Sequence, residues 1–248
     1  MRNGRRYRPR TGGEAVRIAN WLFGGLLSAI MAAPQAEAQQ LLWGIQAEQV
    51  EYRVGEDGGV AAWDLDAFVG TDELKVVWRS EGEFSVDQEA FETFENQLRV
   101  QVPVSPFFDA VAGIRVDTPE GANRVHAVLG LHGLAQQWIE VDADFFVSDH
   151  PSFRFEAEYE GLITNRIVLT PSIEIDLPFT DDEAFGQGGW GPKLELGLRL
   201  SYDLVDRAIS PYIGVHYERV FGESSLLAAR EGENAGAVFF VVGARILF

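Results

Sequence analysis

From about residue 45 onward, this sequence alternates between apolar and polar residues with a period of two. The stretch 153–160 is the clearest example, with Phe153, Phe155, Ala157 and Tyr159 on one face and Arg154, Glu156, Glu158 and Glu160 on the other. A β-strand places successive side chains on opposite faces, whereas the side chains of a helix repeat about every 3.6 residues. The alternation therefore predicts strands that each have one apolar and one charged face.

Runs of this kind recur along the rest of the chain. We predict about twelve strands, at residues 45–54, 60–69, 73–81, 91–102, 107–117, 123–132, 137–147, 153–162, 166–177, 191–203, 210–221 and 236–248. Two all-β architectures fit the pattern. A soluble sandwich buries its apolar faces, whereas an outer-membrane barrel turns them to lipid and lines its lumen with polar residues.

The lengths of the connections favour the barrel. Those near 82–90, 178–190 and 222–235 are predicted to be long, and those near 70–72, 103–106, 133–136 and 163–165 short. Outer-membrane barrels have short periplasmic turns and longer external loops, so that the long connections follow odd-numbered strands, as they do here.

Aromatic residues at the strand ends support the same choice. The last predicted strand ends on Phe248, which resembles the signal read by the outer-membrane insertion machinery. Trp63, Trp78, Phe107 and Trp138 lie near strand ends, where interfacial girdles form. The expected fold class is all-β: an antiparallel up-and-down transmembrane β-barrel of about twelve strands, surrounded by outer-membrane lipid.

The first 38 residues are of a different kind. A basic start, an apolar run over residues 21–33 and the small residues of Ala36-Glu37-Ala38 together indicate a Sec-type signal peptide. The apolar run is shorter than the roughly 20 residues of a spanning helix. We expect residues 1–38 to be removed and residues 39–248 to form the barrel in the outer membrane of a Gram-negative bacterium. The alternative is an N-terminal membrane anchor.

The net charge of the chain limits the kinds of partner that it can bind. Asp and Glu number 38 against 20 Lys and Arg, which gives a net charge of −18. Nucleic acid is therefore not expected as a partner, because its phosphates bind basic surfaces, whereas cations are compatible with such a chain. The sequence has no cysteine, which excludes disulfides and thiolate metal sites.

Acidic residues also predominate on the predicted polar faces. The inward-facing carboxylates include Glu156, Glu158, Glu160, Glu174, Asp176, Glu195 and Asp203, beside Arg115, Arg154 and Arg199. Such a lining concentrates cations in a lumen. The alternative is a salt-bridged plug of polar side chains in a narrow barrel. An outer-membrane phospholipase uses a Ser/His pair on its lipid-facing side. The histidines here are predicted to face the lumen, and no serine lies at the same depth on a neighbouring strand, so we do not expect an enzyme.

Several ordered segments resemble the copper resistance protein B family. They are WD at 63–64, GTDELK at 70–75, SEGE at 80–83, SPFFD at 105–109, AGIRVD at 112–117, AVLGLHGL at 127–134, IEVDA at 139–143, LELGLRL at 194–200, AISPYIGV at 208–215 and YER at 217–219. The resemblance implies an outer-membrane protein of copper tolerance, with copper ions as bound or transported partners and contacts with periplasmic copper proteins.

The sequence departs from this family in one respect. Typical members carry a Met- and His-rich segment before the barrel, and between Ala38 and the first predicted strand there is neither residue. Thioether sulfur is the soft ligand that selects Cu(I). Any copper role is therefore expected to depend on the barrel itself, or to have been lost in this member.

Histidines and carboxylates of the polar faces are the candidate metal ligands: His126, His132, His216, Glu218, Glu140 and Asp142. Imidazole and carboxylate together can bind Cu(II) or Zn(II) when they converge. The alternative is that they pair with arginines in the lumen. His150, next to Pro151, is expected in an external loop.

Three functions remain open at this point. The leading hypothesis is a copper-tolerance barrel that binds or passes copper ions. The second is a general small outer-membrane channel or structural barrel without a metal role. The third is a soluble periplasmic β-sandwich.

Overall fold

The computed structural model describes residues 40–56, 58–118, 123–232 and 234–248. The predicted signal peptide, residues 1–38, lies outside them. The strands are β1 (Leu42–Gly55), β2 (Gly58–Gly70), β3 (Lys75–Ser85), β4 (Ala90–Pro103), β5 (Phe108–Asp117), β6 (Arg124–Leu134), β7 (Ile139–Val147), β8 (Ser152–Tyr159), β9 (Gly161–Leu162), β10 (Ile167–Pro178), β11 (Lys193–Tyr202), β12 (Ile209–Val220) and β13 (Gly236–Leu247). Each predicted run corresponds to one of the long strands.

The strands close into a single antiparallel barrel. Each long strand pairs with its neighbours in the sequence, β8 pairs with β10, and the first strand pairs with the last, as in Glu51 opposite Gly243. Beyond the end of β8, the two-residue strand β9 continues the antiparallel pairing with β10. The barrel thus consists of twelve long strands, which confirms the predicted fold class and shows that the hypothesis of a soluble sandwich was wrong.

The outer face is apolar and the inner face is polar. On β6, Val125, Leu129 and Leu131 are 63%, 57% and 46% exposed, whereas the alternate residues His126 and Val128 are 6% and 1% exposed. Within residues 40–248 as described, no second layer covers this exposed face, because the sheet is one layer closed on itself. Among the described residues, no helix has both the length and the apolar character needed to cross a bilayer.

The connections define two ends of the barrel. At the turn end, where β1 begins and β13 ends, strands are joined by residues 71–74, 104–107, 135–138, 163–166 and 203–208. At the loop end lie the two long connections, 179–192 and 221–235, and the second of these contains the helix α1 (Gly222–Glu231).

The long connection predicted near 82–90 is a four-residue turn, 86–89, so that prediction was wrong. The hairpin β3–β4 extends further because Phe84 and Phe91 pack together on the outer face with their rings 5.1 Å apart, and Trp63 packs edge-on against Phe91. Gly82 lies beneath the Trp63 ring, which would contact a Cβ at 2.3 Å. This close approach requires glycine.

Charge on the outer face should destabilise the barrel according to its depth. Replacing Leu129, in the middle of β6, by arginine should cost about 2–4 kcal/mol of unfolding free energy in lipid vesicles, because the guanidinium faces hydrocarbon. The matched Val125→Arg, at the loop end of the same strand, should cost about 0–1 kcal/mol. Urea unfolding of refolded protein measures both values, and equal costs would contradict an apolar band centred on the strands.

Candidate metal site and the lumen of the barrel

The barrel encloses a cavity of about 900 Å³. Many of the residues in its wall are inward-facing charged side chains. Near the loop end Phe185 and Ser224, from the two long connections, complete it, and toward the turn end it reaches Glu48, Glu140 and Glu158. The polar face predicted from alternation is therefore the wall of an internal space.

Three arginines organise one side of the lumen. Arg99 has no exposed side-chain surface and pairs with Asp144, and its Nη1 lies 3.6 Å from Asp142 Oδ1. Arg79 and Arg154 extend the cluster across several strands. Their carboxylate partners are Asp66, Glu81, Asp142 and Glu156 for Arg79, and Glu81, Glu95, Glu156, Glu174 and Asp176 for Arg154, all within 4.0 Å.

Glu51 organises the opposite side. Its carboxylate accepts hydrogen bonds from Arg53 at 2.7 Å, from Arg199 at 2.9 Å and from the Tyr212 hydroxyl at 2.9 Å. Arg53 also pairs with Glu83 on β3. A buried charge is stable only when it is paired and hydrogen-bonded, and Glu51 has partners from three strands.

The lumen therefore combines both arrangements that the sequence left open. Five of the predicted inward carboxylates line the cavity: Glu156, Glu158, Glu174, Asp176 and Glu195. Asp203 is buried in the connection 203–208, whereas Glu160 is exposed just after β8, so its predicted inward position was wrong. Most of the seven pair with arginine, as a salt-bridged interior requires. The space between them still forms a cavity, and carboxylates outnumber basic groups along its wall.

Three of the candidate ligands lie apart, each with its own partner. His126 Nε2 is 3.2 Å from Asp117 Oδ2, and His216 Nε2 is 3.3 Å from Glu195 Oε2. Glu218 accepts the Lys193 ammonium at 3.2 Å. Among the residues that the structure describes, none of these three contributes to a group of three or more ligands.

His132, Glu140 and Asp142 form the one group among the described residues in which at least three His or carboxylate ligand atoms lie within 4.8 Å of one another. The β6–β7 hairpin brings them together. His132 lies directly opposite Asp142 in the register, with its Nδ1 3.0 Å from Asp142 Oδ2. Glu140 precedes Asp142 by two residues and therefore lies on the same face of β7. One Asp142 oxygen, Oδ1, is buried without a hydrogen-bond donor.

Two arginines that sequence analysis did not single out share this group. Arg79 Nη2 and Arg99 Nη1 lie 3.7 and 3.6 Å from Asp142. Their positions in the alternation place them on the same faces as Glu81 and Gln97, so strand parity could have identified them as lumen residues. That they reach Asp142 depends on the curvature of the closed sheet.

The two long connections form a cover at the loop end. The Ser224 hydroxyl of α1 accepts from Gly188 N at 3.0 Å and donates to Gly191 O at 2.7 Å. Across the mouth, Asp182 accepts two hydrogen bonds from Arg124 on β6, at 2.9 and 3.0 Å. His150 lies in the connection 148–151, as predicted, with Nδ1 3.0 Å from the Asp181 carbonyl oxygen.

Comparison with known proteins agrees with the resemblance found in the sequence. The family model described as "Copper resistance protein B precursor (CopB)" matches residues 41–248. Copper resistance protein B of Escherichia coli is 37% identical over 203 residues, covering 81% of this chain and 68% of the relative. Copper resistance protein B homolog of Pseudomonas syringae pv. tomato is 34% identical over 204 residues, covering 82% and 68%.

Solved structures share the fold. The NanC porin superposes with a TM-score of 0.50 at 12% sequence identity, over 83% of this chain and 99% of that one. At this identity the likeness concerns the barrel architecture alone.

The buried Arg99–Asp144 pair should be costly to break from one side. Asp144→Leu should lower the unfolding free energy by about 3–5 kcal/mol, because it removes the main partner of a fully buried guanidinium. The double variant Arg99→Met with Asp144→Leu should recover most of that loss. Asp109→Ala, which breaks the more exposed Lys75–Asp109 pair, is the control and should cost about 0–1 kcal/mol. If the double variant were as unstable as the single one, the pairing would not be the cause.

Proposed function

The chain belongs to the copper resistance protein B family, and from that premise we propose that its barrel binds copper ions at His132, Glu140 and Asp142 and passes them through the lumen. The protein is located in the outer membrane, with the apolar face of the barrel in lipid. Its proposed role is binding and passage, without catalysis. Periplasmic copper proteins are the proposed donors or recipients of the ions.

The convergence of these three side chains is the observation that carries the proposal. Their ligand atoms lie within 4.8 Å of one another, which is compatible with binding one ion. One imidazole and two carboxylates form a nitrogen and oxygen donor set, which suits Cu(II) better than Cu(I). Glu140 and Asp142 line the cavity and the His132 side chain beside them is 26% exposed, so that an ion in the lumen can reach the group.

The neighbouring arginines should limit the affinity of the site. A bound cation would lie close to Arg79 and Arg99, each within 4 Å of Asp142, and like charges repel strongly where water is scarce. Weak binding suits passage, because an ion must be able to leave a site in a conduction path. We therefore propose transient occupancy by copper.

The acidic wall supports the same function. Carboxylates such as Glu48, Glu156 and Glu158 face the cavity beside the proposed site. An excess of negative charge raises the local concentration of cations and repels anions.

The second candidate function is that of a small outer-membrane channel or structural barrel without a metal role. The observation that favours it is the pairing of most inward carboxylates with arginine, which stabilises a barrel whether or not ions bind. Copper binding by purified protein separates the two.

Titration of the refolded mature barrel in detergent with Cu(II) and with Cu(I), separately, tests the proposal. We expect about one Cu(II) per chain, followed by its electron paramagnetic resonance signal, and weaker binding of Cu(I). His132→Ala should weaken Cu(II) binding by roughly 10- to 100-fold. Binding should also weaken as the pH is lowered, because a proton on imidazole competes with the metal.

The matched controls are His126→Ala and His216→Ala, which remove an inward histidine elsewhere in the lumen. Both should bind Cu(II) like the unchanged protein. Equal loss in all three variants, or no binding by the unchanged protein, would contradict the assigned site and favour a channel without a metal role.

A further inference from the structure

Arg245 connects two distant parts of the barrel wall at the turn end. It projects from β13 and its guanidinium pairs with both Glu158 and Glu160, at the end of β8. In the closed sheet β10, β11 and β12 lie between these two strands, so that the contact runs across the lumen.

The Arg245 contact lies at one limit of the cavity. The cavity wall includes Glu158 and Glu140, which are opposite each other in the β7–β8 register. In the part of the chain that the structure describes, neither Arg245 nor Glu160 lines it. Arg245, Glu158 and Glu160, which we call the floor, therefore lie at the turn-end limit of the cavity, next to Glu140 of the proposed copper site.

A second arginine side chain stabilises the floor. Arg207, in the connection 203–208, donates to Glu160 at 2.7 Å and lies 3.1 Å from Asp203. The hydrogen bond to the Glu160 carboxylate raises the pKa of the Arg207 guanidinium above its ordinary value. Glu160 is thus shared by two arginines, while Glu158 depends on Arg245 and faces the cavity.

We propose that Arg245 determines which cations pass the turn-end mouth. Its guanidinium is a tethered cation that neutralises Glu158 and Glu160, and an ion leaves the lumen only by displacing it from these carboxylates. A divalent ion interacts with a carboxylate about twice as strongly as a monovalent ion at the same distance, so the arrangement favours divalent ions over K⁺. This inference rests on the proposed function of ion passage.

Planar-bilayer recordings of the full mature barrel test the proposal. Arg245→Gln should raise the conductance in KCl by at least about twofold and should reduce the preference for Cu(II) over K⁺ in the reversal potential. Arg245→Lys, which can pair with one carboxylate at a time, should give intermediate values.

Arg166→Gln is the matched control. It removes the same charge at the same end of the barrel, from an exposed residue whose one described side-chain partner is the Tyr202 hydroxyl. Arg166→Gln should leave both the conductance in KCl and the preference for Cu(II) over K⁺ unchanged. If Arg245→Gln does not refold, as judged by heat-modifiable migration in gels, Arg245→Lys carries the test.

The outcomes separate the two proposals. If folded Arg245→Gln or Arg245→Lys conducts and selects like the unchanged barrel, the role of Arg245 is overturned, and Cu(II) binding that needs His132 would still support the proposed function. If the Arg245 variants open the pore while no variant binds copper, the proposed function fails and Arg245 remains the residue that limits cation passage.

Discussion

The pairing of buried arginines with carboxylates from distant strands is the interaction on which this barrel depends. A closed sheet with lipid outside must place its polar residues inside, and removing a charge from water costs several kcal/mol unless it is paired. Arg99, Arg154 and Arg199 each meet this requirement by reaching strands that are not their neighbours. The same contacts that neutralise the lumen therefore hold opposite walls of the barrel together.

The proposed copper site is part of this network and takes its properties from it. Asp142 faces His132 on one side and two guanidinium groups on the other, so that a metal ion competes with resident cations for the same carboxylate. Arg245 sets up an equivalent competition for Glu158 at the turn end. Stability and the proposed ion selectivity of this lumen thus depend on one charge balance.

Much of the fold could be predicted because alternation is a local property. The parity that placed His126, His132 and His216 inside is fixed by the strand itself, whatever the neighbouring strands do. The long connection predicted near 82–90 was wrong because these residues continue the β3–β4 hairpin, in which Gly82 accommodates the ring of Trp63 from the neighbouring strand β2. A glycine required by a contact between strands cannot be distinguished from a turn glycine without the pairing.

The sequence by itself determined the strands, their two faces, the excess of negative charge inside and the family. Only the tertiary structure decided which inward side chains meet. Strand register gave His132 the partners Asp142 and Glu140 and left His126 and His216 beside single carboxylates, because a shift of one strand by two residues keeps every face but changes every pair. Closure of the sheet brought Arg79, Arg99 and Arg245 across the lumen, since contacts between strands far apart in sequence depend on the curvature of the whole barrel.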